Sequence, residues 1–424
     1  MFFTYPVINN VNYDQNRFHI LLITAFVYAC LSLSSCAGIP EYPAKGALAG
    51  QEVKTTVDSE IARYYLETYR RGDRSDLQHD REIERAHETW DKHPLDGDSL
   101  RRLSEQFSPD FATLYFVNRV YQGSHNRKAQ QAFRSHLAAI RTTGVEEGFR
   151  VDERPRPYLF AFVPGYAYKR EPATGADFAR QRRLMDRAGF KTALIETDEL
   201  GTVEKNAAII AGELMRLSKQ YDRIILVSTS KGGAEAALAL GKLLTPEQSR
   251  AVKAWISVGG ILRGSPLADR ALVWPRSWWT KVVVFFLGFQ QEIVENLSTR
   301  KRKEVFEQLA FPDHMLMVQY VGVPLSGQVS PDVRGRYRRL RMLGPNDGLT
   351  LLPDEVVPAG IVITDMGLDH YYRDPEIDLK TFALAHVVLT ILEEKHAAVP
   401  PGHQVMTQEQ RAVRLFCVHL RPVN

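Results

Sequence analysis

The apolar residues in the first third of the chain recur with a helical period. Between residues 58 and 143 they stand three or four positions apart, as at Ile61, Tyr65 and Tyr69, and charged residues crowd between them. One apolar face per helical turn is the pattern of an amphipathic helix. The sequence therefore predicts an N-terminal helical region without strands. It leaves open whether this region is a separate subdomain or a layer packed on the rest of the chain.

From Tyr158 onward, short apolar runs alternate with helical stretches. Short runs rich in β-branched residues and bounded by polar ones are typical of buried parallel strands. The predicted strands are Tyr158–Val163, Lys191–Glu196, Ile224–Val227, Val252–Val258, Met315–Val321 and Gly360–Thr364. Helical patterns cover Ala176–Gly189, Val203–Leu217, Ala234–Leu244 and Leu379–Glu394. This alternation predicts the α/β class, with a mostly parallel sheet covered by helices on both faces.

The N-terminal segment has the pattern of a leader. Residues 20–33 are apolar and uncharged, a run of the length of a signal-peptide core and short for a membrane span. The sequence Leu33-Ser34-Ser35-Cys36 follows and resembles the lipobox of bacterial lipoproteins. This resemblance implies a lipid on Cys36 and location in the bacterial envelope, at the outer membrane rather than the inner one because Ala37 follows. An uncleaved anchor and a conventional signal peptide are the alternatives.

Composition narrows the function classes. The chain has 424 residues and a net charge of only +4. It lacks a basic run interleaved with aromatic residues, which is the pattern typical of nucleic-acid-binding proteins. If Cys30 leaves with the leader and Cys36 carries lipid, only Cys417 remains, so the mature chain can form no internal disulfide. The histidines of the helical region lack the tight spacing of metal ligands. No metal, cofactor or nucleic-acid partner is therefore predicted.

A short turn between a strand and a helix carries the first candidate for chemistry. Residues 228–233, Ser-Thr-Ser-Lys-Gly-Gly, join an apolar run to an Ala- and Leu-rich helical stretch. This arrangement resembles the nucleophile elbow G-x-S-x-G of the α/β-hydrolases, with Ser230 as the nucleophile and Ser228 in place of the first glycine. A plain strand-to-helix turn is the alternative. The residues also spell the S-x-x-K motif of penicillin-binding proteins, but the accompanying S-D-N and K-T-G motifs do not occur.

The resemblance implies an acid and a base later in the chain, in the order Ser, Asp, His. Asp347, in Asn-Asp-Gly-Leu, resembles the loop that presents the acid in lipases and esterases. His370 follows the last predicted strand and precedes the closing helix, where the family carries its histidine. The competing acids are Asp354, Asp365 and Asp369, and the competing histidines are His386, His396, His403 and His419.

The same resemblance implies backbone amides that stabilise an oxyanion. One is the amide of Lys231, and the others are those of Gly165 and Tyr166 after the first strand of the α/β region. Large apolar residues of an insertion at 267–312 are predicted to line the substrate pocket, as a packed cap helix or as a mobile lid. These are Trp274, Trp278, Trp279, Phe285 and Phe286. Such a wall favours an apolar or acyl substrate group.

These predictions divide the chain into a signal peptide (1–35), a tether (36–57), a helical region (58–150), an α/β-hydrolase domain (151–398) and a C-terminal tail (399–424). The predicted function is that of a membrane-tethered serine hydrolase that cleaves carboxylic esters through an acyl-enzyme. Two alternatives remain: a non-catalytic lipoprotein that binds through the same fold, and a thioesterase or acyltransferase that uses the same triad. The sequence does not identify the acyl chain or the alcohol.

Overall fold

Six of the apolar runs form one parallel sheet, which confirms the predicted α/β class. The computed structural model describes residues 39–143, 158–273 and 291–397. Its strands are β1 (Tyr42–Leu48), β2 (Gln51–Val57), β3 (Leu159–Val163), β4 (Lys191–Leu194), β5 (Ile224–Thr229), β6 (Val252–Val258), β7 (Leu316–Val323) and β8 (Ile361–Met366).

The order of the large sheet is β4-β3-β5-β6-β7-β8, and every neighbouring pair is parallel. The chain runs from β3 out to the edge strand β4, crosses back to β5 and then proceeds outward to β8. The strand order therefore reverses between β3 and β5. Open α/β sheets bind ligands outside the carboxyl ends of the strands at such a switch point. The turn after β5 begins at this place.

Helices cover both faces of the sheet because successive strand residues point to opposite sides. Phe160 and Phe162 of β3 pack with one set of helices, and Leu159 and Ala161 pack with another. The first set is α5 (Ser124–Thr143), α6 (Ala179–Arg187) and α13 (Ile377–Ala397). The second is α7 (Val203–Leu217), α8 (Lys231–Leu238) and α11 (Thr299–Glu307).

The other helices are α1 (Glu60–Glu67), α2 (Leu77–Trp90), α3 (Gly97–Gln106), α4 (Pro109–Gln122), α9 (Pro266–Val273), α10 (Gln291–Asn296) and α12 (Pro331–Leu340). Residues 58–143 are thus helical, as the periodicity predicts. In the described ranges, no helix combines the length and the apolar character needed to cross a membrane.

The tether predicted at 36–57 is wrong over most of its length, because β1 and β2 form an antiparallel hairpin there. Ala49 and Gly50 make its turn with positive φ angles of 50° and 73°, as a two-residue hairpin loop requires. Two of the inward residues of β1, Ala44 and Gly46, are small, and a Cβ at Gly46 would lie 2.3 Å from the carbonyl oxygen of Leu66. The small residues that imitate a linker in the sequence instead allow α1 to approach the strand closely.

The N-terminal region covers the outer edge of β8 with amide side chains. Asn126 accepts from the amide of Val362 at 2.9 Å. Gln130 both accepts from and donates to the backbone of Thr364, at 2.9 and 3.0 Å. Gln51 does the same at Met366, at 2.9 Å each. These side chains replace the missing neighbour strand, and they protect an edge that would otherwise be free to pair with another chain.

A buried pair of carboxyl groups joins the helical region to the loop after β7. Asp110 accepts from the backbone amides of Asp58 and Ser326, at 2.8 and 2.9 Å. Asp58 in turn accepts from the amide of Asp110 at 3.2 Å and from the Arg341 guanidinium at 2.8 Å. Burial, and after it the Asp58 carboxylate, raises the pKa of Asp110 to about 7.

This shift predicts how the stability of the fold depends on pH. The unfolded chain releases the Asp110 proton near its ordinary pKa of 3.8, whereas the folded chain keeps it to about pH 7. The resulting stabilisation is complete at low pH and is lost as the pH rises through 7. Between pH 5 and pH 8, the unfolding free energy of the native chain should fall by roughly 2 kcal/mol relative to that of Asp110→Asn. Urea denaturation of both proteins at pH 5 and pH 8 measures their unfolding free energies. A difference between the two proteins that does not change with pH would contradict the prediction.

Candidate active site

The turn between β5 and α8 has the geometry of a strained elbow. Ser230 adopts a φ of 51° and a ψ of −126°, a conformation that residues other than glycine rarely adopt. A Cβ at Gly232 would lie 2.4 Å from the Pro164 carbonyl oxygen, and one at Gly233 would lie 2.7 Å from Gly260 Cα. The two glycines therefore let α8 begin at Lys231, three residues earlier than its predicted start. Helix α8 passes directly against the loops after β3 and β6.

Ser228, where the hydrolase motif has glycine, is fully buried. Its hydroxyl accepts a hydrogen bond from the indole nitrogen of Trp255 at 2.9 Å. Serine thus fits the first motif position, and its hydroxyl satisfies a buried indole that would otherwise lack a partner.

The structure brings Ser230, His370 and Asp347 into one line. Nε2 of His370 lies 3.0 Å from Oγ of Ser230, and Nδ1 of His370 is hydrogen-bonded to Oδ2 of Asp347. The other Asp347 oxygen accepts from the amides of Leu349 and Thr350, at 2.8 Å each. The acid is therefore buried and held on both sides. An imidazole placed between a carboxylate and a hydroxyl is the arrangement that activates serine.

The competing acids form ion pairs or hydrogen bonds with residues other than His370. Asp354 pairs with Lys303, Asp365 with Arg134 and Lys380, and Asp369 accepts from the amide of Ser330. Among the competing histidines, His386 stacks on His136 with their ring centroids 5.0 Å apart. His403 and His419 lie outside the described residues, as does the side chain of His396.

The oxyanion prediction is wrong for Gly165. Its amide donates to the carbonyl oxygen of Ala176 at 2.9 Å, so it is already used. Gly165 instead provides space, because a Cβ there would lie 3.4 Å from Cβ of Ser230. Lys231 is the first residue of α8, where an amide has no acceptor within the helix. Tyr166 lines the same cavity as Ser230.

A cavity of about 1100 Å³ opens beside Ser230 and His370. Its interior lies between the sheet and helices α6 and α13, and its wall is largely apolar, with Phe162, Phe178, Val227, Ile256 and Leu384. Two described helices of the predicted insertion, α9 and α10, also contribute to the wall. The predicted pocket residues Trp274, Trp278, Trp279, Phe285 and Phe286 lie outside the described residues, and so do Cys36 and the tail.

A buried ion pair beside the elbow is absent from the sequence predictions. The Lys231 ammonium contacts the Glu235 carboxylate one helical turn later, and both side chains are almost fully buried. Asn206 of α7 donates to the same carboxylate at 2.7 Å. These contacts fix the first turn of α8 against α7. The signal in the sequence is an oppositely charged pair, four residues apart, in an otherwise apolar helix.

Glu355 is a second buried acid that the sequence predictions omit. It is 1% exposed, and no described residue donates a hydrogen bond to either carboxyl oxygen. Burial, followed by the nearby charge of Asp347, raises the pKa of Glu355 well above its ordinary value. Both effects favour the protonated acid, which adds no second negative charge next to Asp347.

The described residues contain no cluster of three or more potential metal-ligating side chains. No protein-family model matches the chain, and no curated protein matches it either.

The chain is similar to several solved esterase and lipase structures. It is 21% identical to a metagenomic carboxyl esterase, with 56% of this chain and 76% of that chain covered and a TM-score of 0.45. A Bacillus licheniformis lipase in its mature form is 22% identical over 57% and 93% of the two chains, with a TM-score of 0.43. Esterase B from Lactobacillus rhamnosis is 14% identical over 63% and 99%, with a TM-score of 0.35. Because these TM-scores are below 0.5, the α/β-hydrolase fold assignment rests on the parallel sheet and the elbow.

Proposed function

We propose that the protein is a serine hydrolase that cleaves carboxylic esters through an acyl-enzyme and is attached to the bacterial envelope by a lipid on Cys36. The observation that carries the catalytic part is the line from Ser230 Oγ through His370 to Asp347, at the mouth of an apolar cavity. The elbow supports this proposal as well, since it places a reactive hydroxyl clear of its strand and helix.

The proposed reaction has two halves. His370 Nε2 takes the proton of Ser230 as Oγ attacks the ester carbonyl carbon. The tetrahedral intermediate places its negative charge near the amide of Lys231, and the Tyr166 amide is the proposed second donor. Collapse of the intermediate breaks the bond to the alcohol, which leaves with the proton from His370. Water then attacks the acyl-enzyme by the same steps and releases the carboxylic acid. Asp347 holds the imidazole in the required tautomer and stabilises its charged form.

Triad substitutions test the proposal. Ser230→Ala and His370→Ala should each lower kcat for a short p-nitrophenyl ester by about 10⁶-fold, and Asp347→Asn by about 10⁴-fold. The double variant Ser230→Ala/His370→Ala should be little worse than either single variant, because the residues act as a unit. A fluorophosphonate probe should label the native chain and not Ser230→Ala.

Ser228→Ala is the matched control. It removes a hydroxyl two residues away whose hydrogen bond among the described residues is with Trp255, so it should cost about 1 kcal/mol of stability and keep both labelling and turnover. A folded native protein that is neither labelled nor active would indicate a binding function instead, and the triad proposal would be wrong.

The neutral form of Glu355 leads to a separate prediction. Glu355→Gln replaces a neutral acid by a neutral amide of the same shape, so the acid limb of the pH–activity profile should stay in place. An ionised Glu355 would instead favour protonated His370, and its removal would shift that limb to lower pH. Measurement of kcat/KM from pH 5 to pH 9 for both proteins distinguishes these cases. A shift of one pH unit or more would contradict a neutral Glu355.

The lipid anchor is tested independently of catalysis. The proposal rests on the apolar run at 20–33 and the lipobox-like residues that end at Cys36. Cys36→Ala should block processing or release the protein from the membrane fraction, because the thiol is the site of lipid attachment. Mass spectrometry of the mature native protein should show a lipid-modified N-terminal cysteine. An unmodified Cys36 in that protein would end the anchoring proposal and leave the hydrolase proposal intact.

A further inference from the structure

Most charged side chains that line the cavity are neutralised by a partner. Arg180 pairs with Asp378 at 2.7 Å. Lys380 pairs with Asp365 at 2.6 Å and also with Asp374, and Lys231 pairs with Glu235. The charges of these three cations are thus balanced by carboxylates of the fold.

Among the cations that line the cavity, Arg336 of α12 has no carboxylate partner in the described part of the chain; the lining carboxylate Glu171 is exposed. Arg336 is half-buried. Its guanidinium donates to the carbonyl oxygen of Asp332 at 3.3 Å and to the hydroxyl of Tyr371 at 3.1 Å. No carboxylate of the described residues lies within 4.0 Å of it. Its charge is therefore available to an anionic ligand, to which a guanidinium offers several donors.

A second guanidinium lies on the same aromatic ring. The guanidinium carbons of Arg336 and Arg373 are 5.5 and 4.9 Å from the ring centroid of Tyr371. Arg373 pairs with Asp332 at 2.5 Å, but it is 60% exposed and lines the cavity as well. Two cations thus share one aromatic platform at the cavity mouth.

This platform is next to the proposed base. Tyr371 follows His370 directly, and their ring centroids are 6.4 Å apart. In the proposed reaction His370 protonates the leaving alcohol, so the alcohol part of the ester lies on the His370 side of Ser230. The acyl part then enters the apolar interior along Phe162 and Val227. An anion bound by the platform therefore belongs to the alcohol part.

We propose that the substrate is an ester of an apolar carboxylic acid with an alcohol that bears a phosphate or carboxylate group, and that Arg336 and Arg373 bind this anionic group beside Tyr371. The inference rests on the proposed hydrolase function. A planar guanidinium offers two parallel donors that match the oxygens of either anion. In this proposal the apolar interior of the cavity binds the acyl chain, and the platform at Tyr371 binds the anionic group of the alcohol.

Three soluble esters with one acyl chain test this inference: 1-octanoylglycerol, 1-octanoylglycerol 3-phosphate and O-octanoylglycolate. The native enzyme should show kcat/KM about tenfold higher for one or both anionic esters than for the neutral one, mainly through KM. Comparison of kcat/KM for the phosphate-bearing and the carboxylate-bearing ester shows which anion is preferred. Raising NaCl from 0.1 to 0.5 M should reduce the preference, because both guanidinium groups are accessible to salt.

Arg336→Gln should lower the ratio of anionic to neutral kcat/KM about tenfold, whereas Arg336→Lys should retain part of it. Arg334→Gln is the matched control, because Arg334 is exposed on the same helix and does not line the cavity; it should leave the ratio unchanged. Thermal unfolding of each variant confirms that it is folded.

Binding of the three esters to Ser230→Ala by calorimetry measures the same selectivity without turnover. If the neutral ester is hydrolysed as efficiently as the anionic esters, the proposed anion site is wrong. The same holds if Arg336→Gln lowers kcat/KM equally for all three esters. Either result leaves the proposed hydrolase function intact. If no ester is hydrolysed, the proposed function fails, and selective binding of an anionic ester to Ser230→Ala would still support the site.

Discussion

The close passage of the chain from β5 into α8 is the constraint on which the site depends. Ser230 holds a left-handed backbone conformation there, and Gly232 and Gly233 lie against the loops after β3 and β6 with no room for a side chain. Any larger residue at either glycine would push α8 away from the sheet. The Lys231 amide and the Ser230 hydroxyl would then lose their positions together. The buried hydrogen bond from Asn206 of α7 to Glu235 holds the same helix against α7.

The N-terminal hairpin and helical region contribute to this site through the edge of the sheet. Asn126, Gln130 and Gln51 satisfy the outer backbone groups of β8, and β8 ends four residues before His370. Helix α5 also covers the sheet face next to the cavity. The position of the proposed base therefore depends on a region that is distant from it in sequence. Because these side chains satisfy its outer backbone groups, β8 can be the edge strand of the sheet without a further strand beside it.

Buried carboxyl groups around the elbow are stabilised in different ways. Asp347 is hydrogen-bonded by two amides and by His370, and Glu235 contacts an ammonium. No described residue donates to Glu355, and its raised pKa favours the protonated form. The cost of burying a charge explains the difference, because an acid without donors remains neutral. One negative charge then faces His370, which is the arrangement that the proposed mechanism requires.

The sequence alone determined the features that follow from local patterns. Apolar runs and helical periodicity located the six strands of the sheet and the helical region within a few residues, and the elbow motif with the order Ser230, Asp347, His370 picked out three side chains that do meet. Features that depend on a distant partner were decided by the tertiary structure. The hairpin at 42–57 was missed because Ala44, Gly46, Ala49 and Gly50 give its first strand and turn the small residues of a linker. The Gly165 amide is used by an acceptor that no motif indicates. The neutral Glu355 and the Arg336–Tyr371 platform exist only because packing brings separate segments together. A sequence pattern reports what a residue prefers locally, whereas burial and the identity of its partner are properties of the folded chain.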